Sequence, residues 1–236
     1  GGDLDTDKPK AGRSLAESAR ELLIVVAGVV IAIGLGQAVD AIHWRDSVAE
    51  AQDSLRSELR DNDNFYAFRI AASDCVGRRL AELNGIAEDV AARRKTGPVG
   101  DLTPHLGHLL ADDVWQSERS AQTLVHFPRK DLEQFSHSYS QQIDLRAWLN
   151  REIEVWSAIR LLQGDPNRLT PSDLTLVRDS IQGARALNYL VTVNAGSQMQ
   201  INEALGVAKA QVDTADVAKV CAPLARAMPT LPYTTY

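Results

Sequence analysis

The residues best suited to hold a metal ion are His105 and His108, which are followed by the carboxylates of Asp112 and Asp113. A spacing of three places both imidazoles on one helix face, where a carboxylate one turn further on would complete a site. Two histidines and an aspartate also arise often by chance at this spacing. Pro104 marks a helix start, where side chains are commonly solvated. We therefore predict no metal and no cofactor.

No other pattern in the 236 residues offers a catalytic or phosphate-binding site. The motifs G-x-S-x-G, H-E-x-x-H and G-x-x-x-x-G-K do not occur. Gly34 and Gly36 lie in an apolar run with no strand before it, so they are not a dinucleotide loop. The net charge of −6 argues against a nucleic-acid-binding protein, which needs a clustered basic face. We predict that the chain is not an enzyme, and catalysis that uses His105 is the least favoured class.

Cys75 and Cys221 are the two cysteines. An even number in an exported domain is compatible with one disulfide in an oxidising compartment. This disulfide would tie the last helix to the first exported helix. The alternative is two buried free thiols.

Three amides, Asn188, Asn194 and Gln198, lie on or near an apolar stripe and need hydrogen-bond partners if they are buried. Such partners would set bundle register, bind water or bind a ligand. The tryptophans are better explained as core or groove residues than as a ligand cage; they are Trp115, Trp148 and Trp156.

The segment from Leu22 to Val39 contains eighteen consecutive positions without a charge. At 1.5 Å per residue it spans about 27 Å, close to the hydrocarbon thickness of a bilayer. We predict a transmembrane helix. A buried core helix rarely runs this long without a polar face, and a cleaved signal peptide has a shorter apolar region. Both remain alternatives.

Basic residues predict the orientation of this helix. Only Arg45 follows it closely, whereas four basic residues precede it: Lys8, Lys10, Arg13 and Arg20. This asymmetry favours a cytoplasmic N-terminus and an exported C-terminal domain. Trp44 falls where an interfacial aromatic belt would lie.

Small residues recur every fourth position in the apolar run, at Gly28, Ala32 and Gly36, and Asp40 extends the row. Such a ridge lets another helix backbone approach closely in lipid. It predicts partners among integral membrane proteins, besides the lipid bilayer. Because glycine and alanine are common in transmembrane helices, a helix with no partner is the alternative.

The fold class that the patterns predict is all-α, with a transmembrane helix continuing into an extramembrane antiparallel bundle. Ser14 and Glu17 form a capping box at its start. We assign residues 1–13 to a short cytoplasmic tail, 14–43 to the transmembrane helix, 44–228 to a periplasmic bundle and 229–236 to an extended tail. The first helix is expected to reach Lys95, with a bend or break near Asn62–Asn64.

Later helices are predicted from turn and capping residues. Gly164–Asn167 is the clearest turn, and Thr170 caps a helix whose first residue is Pro171. The predicted helices are 104–110, 112–126, 130–163, 171–212 and 214–227. In the longest of the middle ones, an inward stripe contains Leu145, Trp148, Glu152, Val155 and Ile159.

The run Glu21–Val29, then Ala32, then Trp44-Arg45 resembles a family of uncharacterised bacterial membrane proteins. Those chains open with a helix of the type E-L-L-x-V-V-x-G-V-x-x-A, leave it with Trp-Arg or Trp-Asn, and continue into a Leu/Arg/Glu-rich helix. Leu55–Asn62 is similar to that continuation. At the exit this chain has Gly36-Gln37-Ala38-Val39, where the family often has Leu-Gln-Val. The resemblance implies an anchored helical protein, and it does not point to any particular activity.

These features favour a non-catalytic accessory or scaffolding subunit of an inner-membrane assembly, such as a respiratory, photosynthetic or transport complex, in a Gram-negative bacterium. The alternative is a periplasmic ligand-binding or sensory helical domain that acts through a partner, because antiparallel helices can bind small molecules between them.

Overall fold

The computed structural model describes residues 15–102 and 110–224. Within them the regular structure is helical, which confirms the predicted all-α class. The α-helices are α1 (Leu15–Ala91), α2 (Asp113–Ser120), α3 (Arg129–Ile159), α4 (Pro171–Ala204) and α5 (Thr214–Cys221). Short 3₁₀ helices cover Thr123–His126, Arg160–Leu162 and Pro166–Arg168. The extended pairing in the described ranges is an isolated antiparallel bridge between Val99 and Gly164.

The chain divides into two compact units, Gly1–Ala49 and Glu50–Tyr236. The described part of the first unit is the N-terminal portion of α1, which carries the apolar run. The second unit contains the remainder of α1 and the other helices.

In the second unit, α1, α3 and α4 share a large apolar core and a smaller apolar cluster that contains Tyr66, Leu145 and Val191. Their inward faces repeat every three or four residues, the period that places side chains on one side of a helix. The fully buried members of the large core include Leu80 and Leu83 of α1, Ile159 of α3, and Val177, Ile181 and Ala184 of α4. Burying a leucine or isoleucine side chain contributes about 1.5–3 kcal/mol, so this core is the main stabilising element of the unit.

The predicted break near Asn62–Asn64 does not occur, because α1 runs through these residues without interruption. Asparagine weakens a helix when its side chain competes for the helix's own backbone. Here the side chains bond elsewhere: Asn62 exchanges hydrogen bonds with the backbone of Ala111, and Asn64 accepts one from the Gln211 amide. The predicted break was wrong because these hydrogen-bond partners lie far away in the sequence and could not be inferred from it.

All five α-helices in the described ranges end earlier than predicted: α1 stops at Ala91 instead of Lys95, α3 at Ile159 instead of Gln163, and α5 at Cys221 instead of Ala227. The helix expected to reach His126 stops at Ser120, because Gln122 adopts a left-handed φ of 62° and a 3₁₀ turn follows. The helix expected to reach Val212 stops at Ala204. Gly206, with a φ of 79°, donates to the carbonyl of Glu203, and the next amide returns to Asn202, a Schellman ending.

Several local predictions are confirmed. Thr170 accepts a hydrogen bond from the Asp173 amide, Asp173 returns one to the Thr170 backbone, and Pro171 is the first helical residue. Gly164 has a φ of 86° in the predicted turn. Leu110 lies outside any helix, and the rest of the helix expected at 104–110 falls outside the described residues.

Candidate functional site

The first unit presents an apolar helix surface that is exposed among the described residues. Its large side chains are between 51% and 69% exposed from Leu22 to Ile42. Among the described residues, this helix alone is long and apolar enough to cross a membrane. A buried core helix of this chain, one of the alternatives above, is contradicted by that exposure.

The predicted ridge of Gly28, Ala32, Gly36 and Asp40 lies within this exposed surface. A Cβ atom added at Gly28 or Gly36 would meet no atom within 4 Å. The side chains that the structure describes therefore leave the space beside these glycines open. Trp44 is half-buried, and its ring centroid lies 5.6 Å from that of His43.

Cys75 of α1 and Cys221, the last residue of α5, form a disulfide with Cα atoms 5.0 Å apart. Neighbouring side chains hold the same junction. Arg79 donates to the carbonyl of Ala222, and Leu224 is buried in the core that α1, α3 and α4 share. The sequence-derived pair is thus placed at a packed junction between α1 and the last described segment.

The interior of the bundle carries a chain of buried polar side chains, which we call the Asp63 cluster: Asp63, Ser138, Gln198 and Asn202. Asn202 donates to the Asp63 carboxylate at 2.7 Å and accepts from Ser138 at 2.7 Å and from Gln198 at 3.1 Å. Burial raises the pKa of Asp63 to about 7, although the hydrogen bond from Asn202 acts in the opposite direction. The cluster links one residue of α1 to α3 and α4 and contains no cation.

A second polar group surrounds Glu58 of α1. Its carboxylate accepts from the Tyr139 hydroxyl at 2.6 Å and from the backbone amide of Val114 at 2.8 Å. Burial and this bond raise the pKa of Tyr139. The Tyr139 ring stacks on Trp115 with centroids 4.8 Å apart. Glu58 therefore holds the start of α2 against α1 and α3, so its role is structural.

A third group joins the helices further along α1. Arg69 and Glu152 form a buried ion pair, and Asn188 donates to the side chain and backbone of Ser73, each at 3.1 Å. The Asn188 carbonyl oxygen and the Trp156 indole nitrogen are buried without a hydrogen-bond partner. Such atoms in the described interior mark places where a polar ligand would find unused donors or acceptors.

The three amides singled out from the sequence have different surroundings. Asn188 and Gln198 are buried and bridge helices, whereas Asn194 donates to the carbonyl of Leu190 on its own helix. Trp156 lies in the core and Trp148 packs against it. His105 and His108 fall outside the described residues. In the ranges that are described, no group of three or more His, Cys, Asp or Glu side chains could hold a metal.

Sequence reasoning missed three members of the Asp63 cluster: Asp63, Ser138 and Asn202. A signal was present, because Ser138 and Gln142, like Gln198 and Asn202, are four residues apart and share a helix face. Two such pairs on facing helices indicate a buried polar layer rather than a solvated face.

The arrangement can hold helices in register, present an apolar helix to lipid or to another helix, and keep one buried carboxyl with a shifted pKa. It brings together no nucleophile, base and oxyanion donors within the described ranges. Comparison of the chain with protein-family models, with curated proteins and with solved structures gave no match. The resemblance of the N-terminal run therefore remains a prediction.

Proposed function

We propose that this chain is a non-catalytic accessory or scaffolding subunit of an inner-membrane assembly in a Gram-negative bacterium. The observation that carries the proposal is the apolar surface of α1 from Leu22 to Ile42, whose large side chains are exposed among the described residues. Each of these large apolar side chains is about 1.5–3 kcal/mol more stable out of water, so lipid or another apolar helix must cover them.

The basic residues before the apolar run support a cytoplasmic N-terminus and a periplasmic bundle. The disulfide between Cys75 and Cys221 supports the same orientation, because disulfides persist in oxidising compartments. The polar interior supports a rigid, non-catalytic body: its contacts join helices to one another.

Partners would bind first through the ridge of Gly28, Ala32 and Gly36. Without a hydrophobic driving force between helices in lipid, close backbone approach is the main source of association. The open space beside Gly28 and Gly36 permits that approach.

The test is native mass measurement of the full chain purified from its own membrane in mild detergent. We expect species well above the 25.8 kDa of one chain. Gly28→Leu with Gly36→Leu should shift the chain to the monomer, whereas Gly34→Leu, the same change on another face of the helix, should not. A strictly monomeric wild type at every detergent strength would contradict the proposal.

A periplasmic ligand-binding or sensory domain is the second candidate, supported by the unpartnered Asn188 oxygen and Trp156 nitrogen. A small molecule that co-purifies with the wild type and is lost in Asn188→Leu would favour it. If that variant retained the same molecule, the ligand-binding or sensory candidate would be contradicted.

A further inference from the structure

At the end of α1, the chain forms an open groove of about 960 Å³ against the start of α4. We call it the basic groove. Four cations line it, and the lining contains a single carboxylate: Arg93, Arg94, Lys95 and Arg178, with Asp165. The groove is therefore positively charged, although the whole chain has a net charge of −6.

Most of these cations are not neutralised by the chain. Arg94 pairs with Asp89 at 2.6 Å. In the described ranges, Arg93, Lys95 and Arg178 form no ion pair. The Asp165 carboxylate accepts a hydrogen bond from the Asn167 side chain at 2.8 Å and lies 3.4 Å from Arg168. Its charge is therefore already paired beside the groove.

The floor between the cations is apolar. Leu174 is buried, Val90 and Leu169 are half-buried, and two prolines complete the wall, Pro98 and Pro171. A free phosphate or a lipid headgroup would use only the cations. The combination of apolar floor and basic rim matches a ligand that carries both carboxylates and apolar side chains.

The walls are held in place before any ligand binds. The Asn167 side chain accepts from the Thr96 amide at 3.1 Å and donates to the Thr96 carbonyl at 2.9 Å. Val99 and Gly164 exchange two backbone hydrogen bonds of 2.8 Å. A preorganised groove loses less conformational entropy on binding than a mobile one.

Arg93 adopts a φ of 56°, in the left-handed region that favours glycine. Its amide bonds the carbonyl of Val90, and the Arg94 amide bonds that of Asp89, the same Schellman pattern that Gly206 completes at the end of α4. At α1, this position carries a long cation despite the strain. Such strain is typical of functional surfaces.

We propose that the basic groove is the docking site for an acidic, partly apolar peptide segment of a partner protein. The inference rests on the proposed accessory function and gives the partner a chemistry. Carboxylates of the segment would contact Arg93, Lys95 and Arg178, and its apolar side chains would lie over Leu174.

The test uses the full chain in neutral detergent and a fluorescein-labelled peptide of about eight alternating glutamates and leucines. Fluorescence anisotropy should show saturable binding. The variant Arg93→Gln/Lys95→Gln/Arg178→Gln should bind about tenfold more weakly, since three partly exposed ion pairs are lost. The matched control, Arg119→Gln/Lys130→Gln/Lys209→Gln, removes the same charge outside the groove and should bind like the wild type.

Equal weakening in both variants would overturn the proposal, because it would show diffuse electrostatic attraction. Equal binding of a lysine–leucine peptide would also overturn it. The third contrary outcome is a groove that binds inorganic phosphate or anionic vesicles but not the acidic peptide. None of these outcomes affects the mass measurement with the Gly28 and Gly34 variants, so the two proposals fail separately.

Discussion

Arg69 of α1 and Glu152 of α3 form a bidentate ion pair in the bundle interior, with N–O distances of 2.5 and 2.9 Å. Their side chains are 1% and 4% exposed. Because both charges are removed from water, each depends on the other for its solvation.

Removing one partner of this pair should destabilise the domain strongly. Glu152→Ala leaves the Arg69 guanidinium buried and unpaired, and we expect a loss of about 3–5 kcal/mol in the free energy of unfolding. Chemical denaturation followed by circular dichroism measures it. The control is Glu133→Ala, which breaks the exposed pair with Arg129 and should change stability by less than about 1 kcal/mol. Similar losses in both variants would contradict the buried geometry.

Asp63 should make the domain less stable as the pH rises. Its pKa is about 7 in the folded protein and 3.8 when unperturbed. Below both values the carboxyl is protonated in either state and has no effect. Between about pH 4 and 7 the unfolded chain releases this proton while the folded chain keeps it, so stability falls; above 7 the loss is complete.

Asp63→Asn should remove that contribution, because Asn202 can still donate to the amide oxygen. Thermal unfolding at pH 5 and pH 8 should show a smaller stability decrease toward pH 8 in the variant than in the wild type. Asp61→Asn, at an exposed carboxylate two residues away, should leave the wild-type pH dependence in place. If the stability of Asp63→Asn fell between pH 5 and pH 8 as much as that of the wild type, the burial of this carboxyl would be refuted.

Thiol labelling tests the bond between Cys75 and Cys221. We expect no labelled thiol in the unreduced, denatured protein and two after reduction. The double variant Cys75→Ser/Cys221→Ser should lose about 2–5 kcal/mol, because the bond closes a loop across 146 positions and restricts the unfolded chain. Two labelled thiols without reductant would argue against both the bond and the proposed periplasmic location.

The backbone conformation of Arg93 predicts a stabilising substitution. Arg93→Gly relieves the left-handed strain and should raise the free energy of unfolding by roughly 0.5–1 kcal/mol. Ala81→Gly, in the exposed middle of α1, should lower it by about 1 kcal/mol. Urea denaturation compares the two, and a destabilised Arg93→Gly variant would contradict the conformation.

The sequence by itself determined the features that depend on neighbouring residues. The uncharged run from Leu22 to Val39 needs only its own composition to predict a helix too apolar for water. Thr170 with Pro171, and Gly164 in its turn, act through backbone geometry within a few residues. Such signals survive without knowledge of the rest of the chain, and the structure places these elements as predicted.

Only the tertiary structure decided which polar residues on the long helices are buried and which partners they bond. Asn62 and Asp63 suggested a break in α1, yet partners from distant segments make them interior residues of an uninterrupted helix. Glu152 lay on a stripe that faced inward, but nothing in the sequence pointed to Arg69 as its partner. Hydrogen bonds and ion pairs between residues far apart in sequence depend on helix register and packing, and those arise only when the apolar faces of α1, α3 and α4 meet.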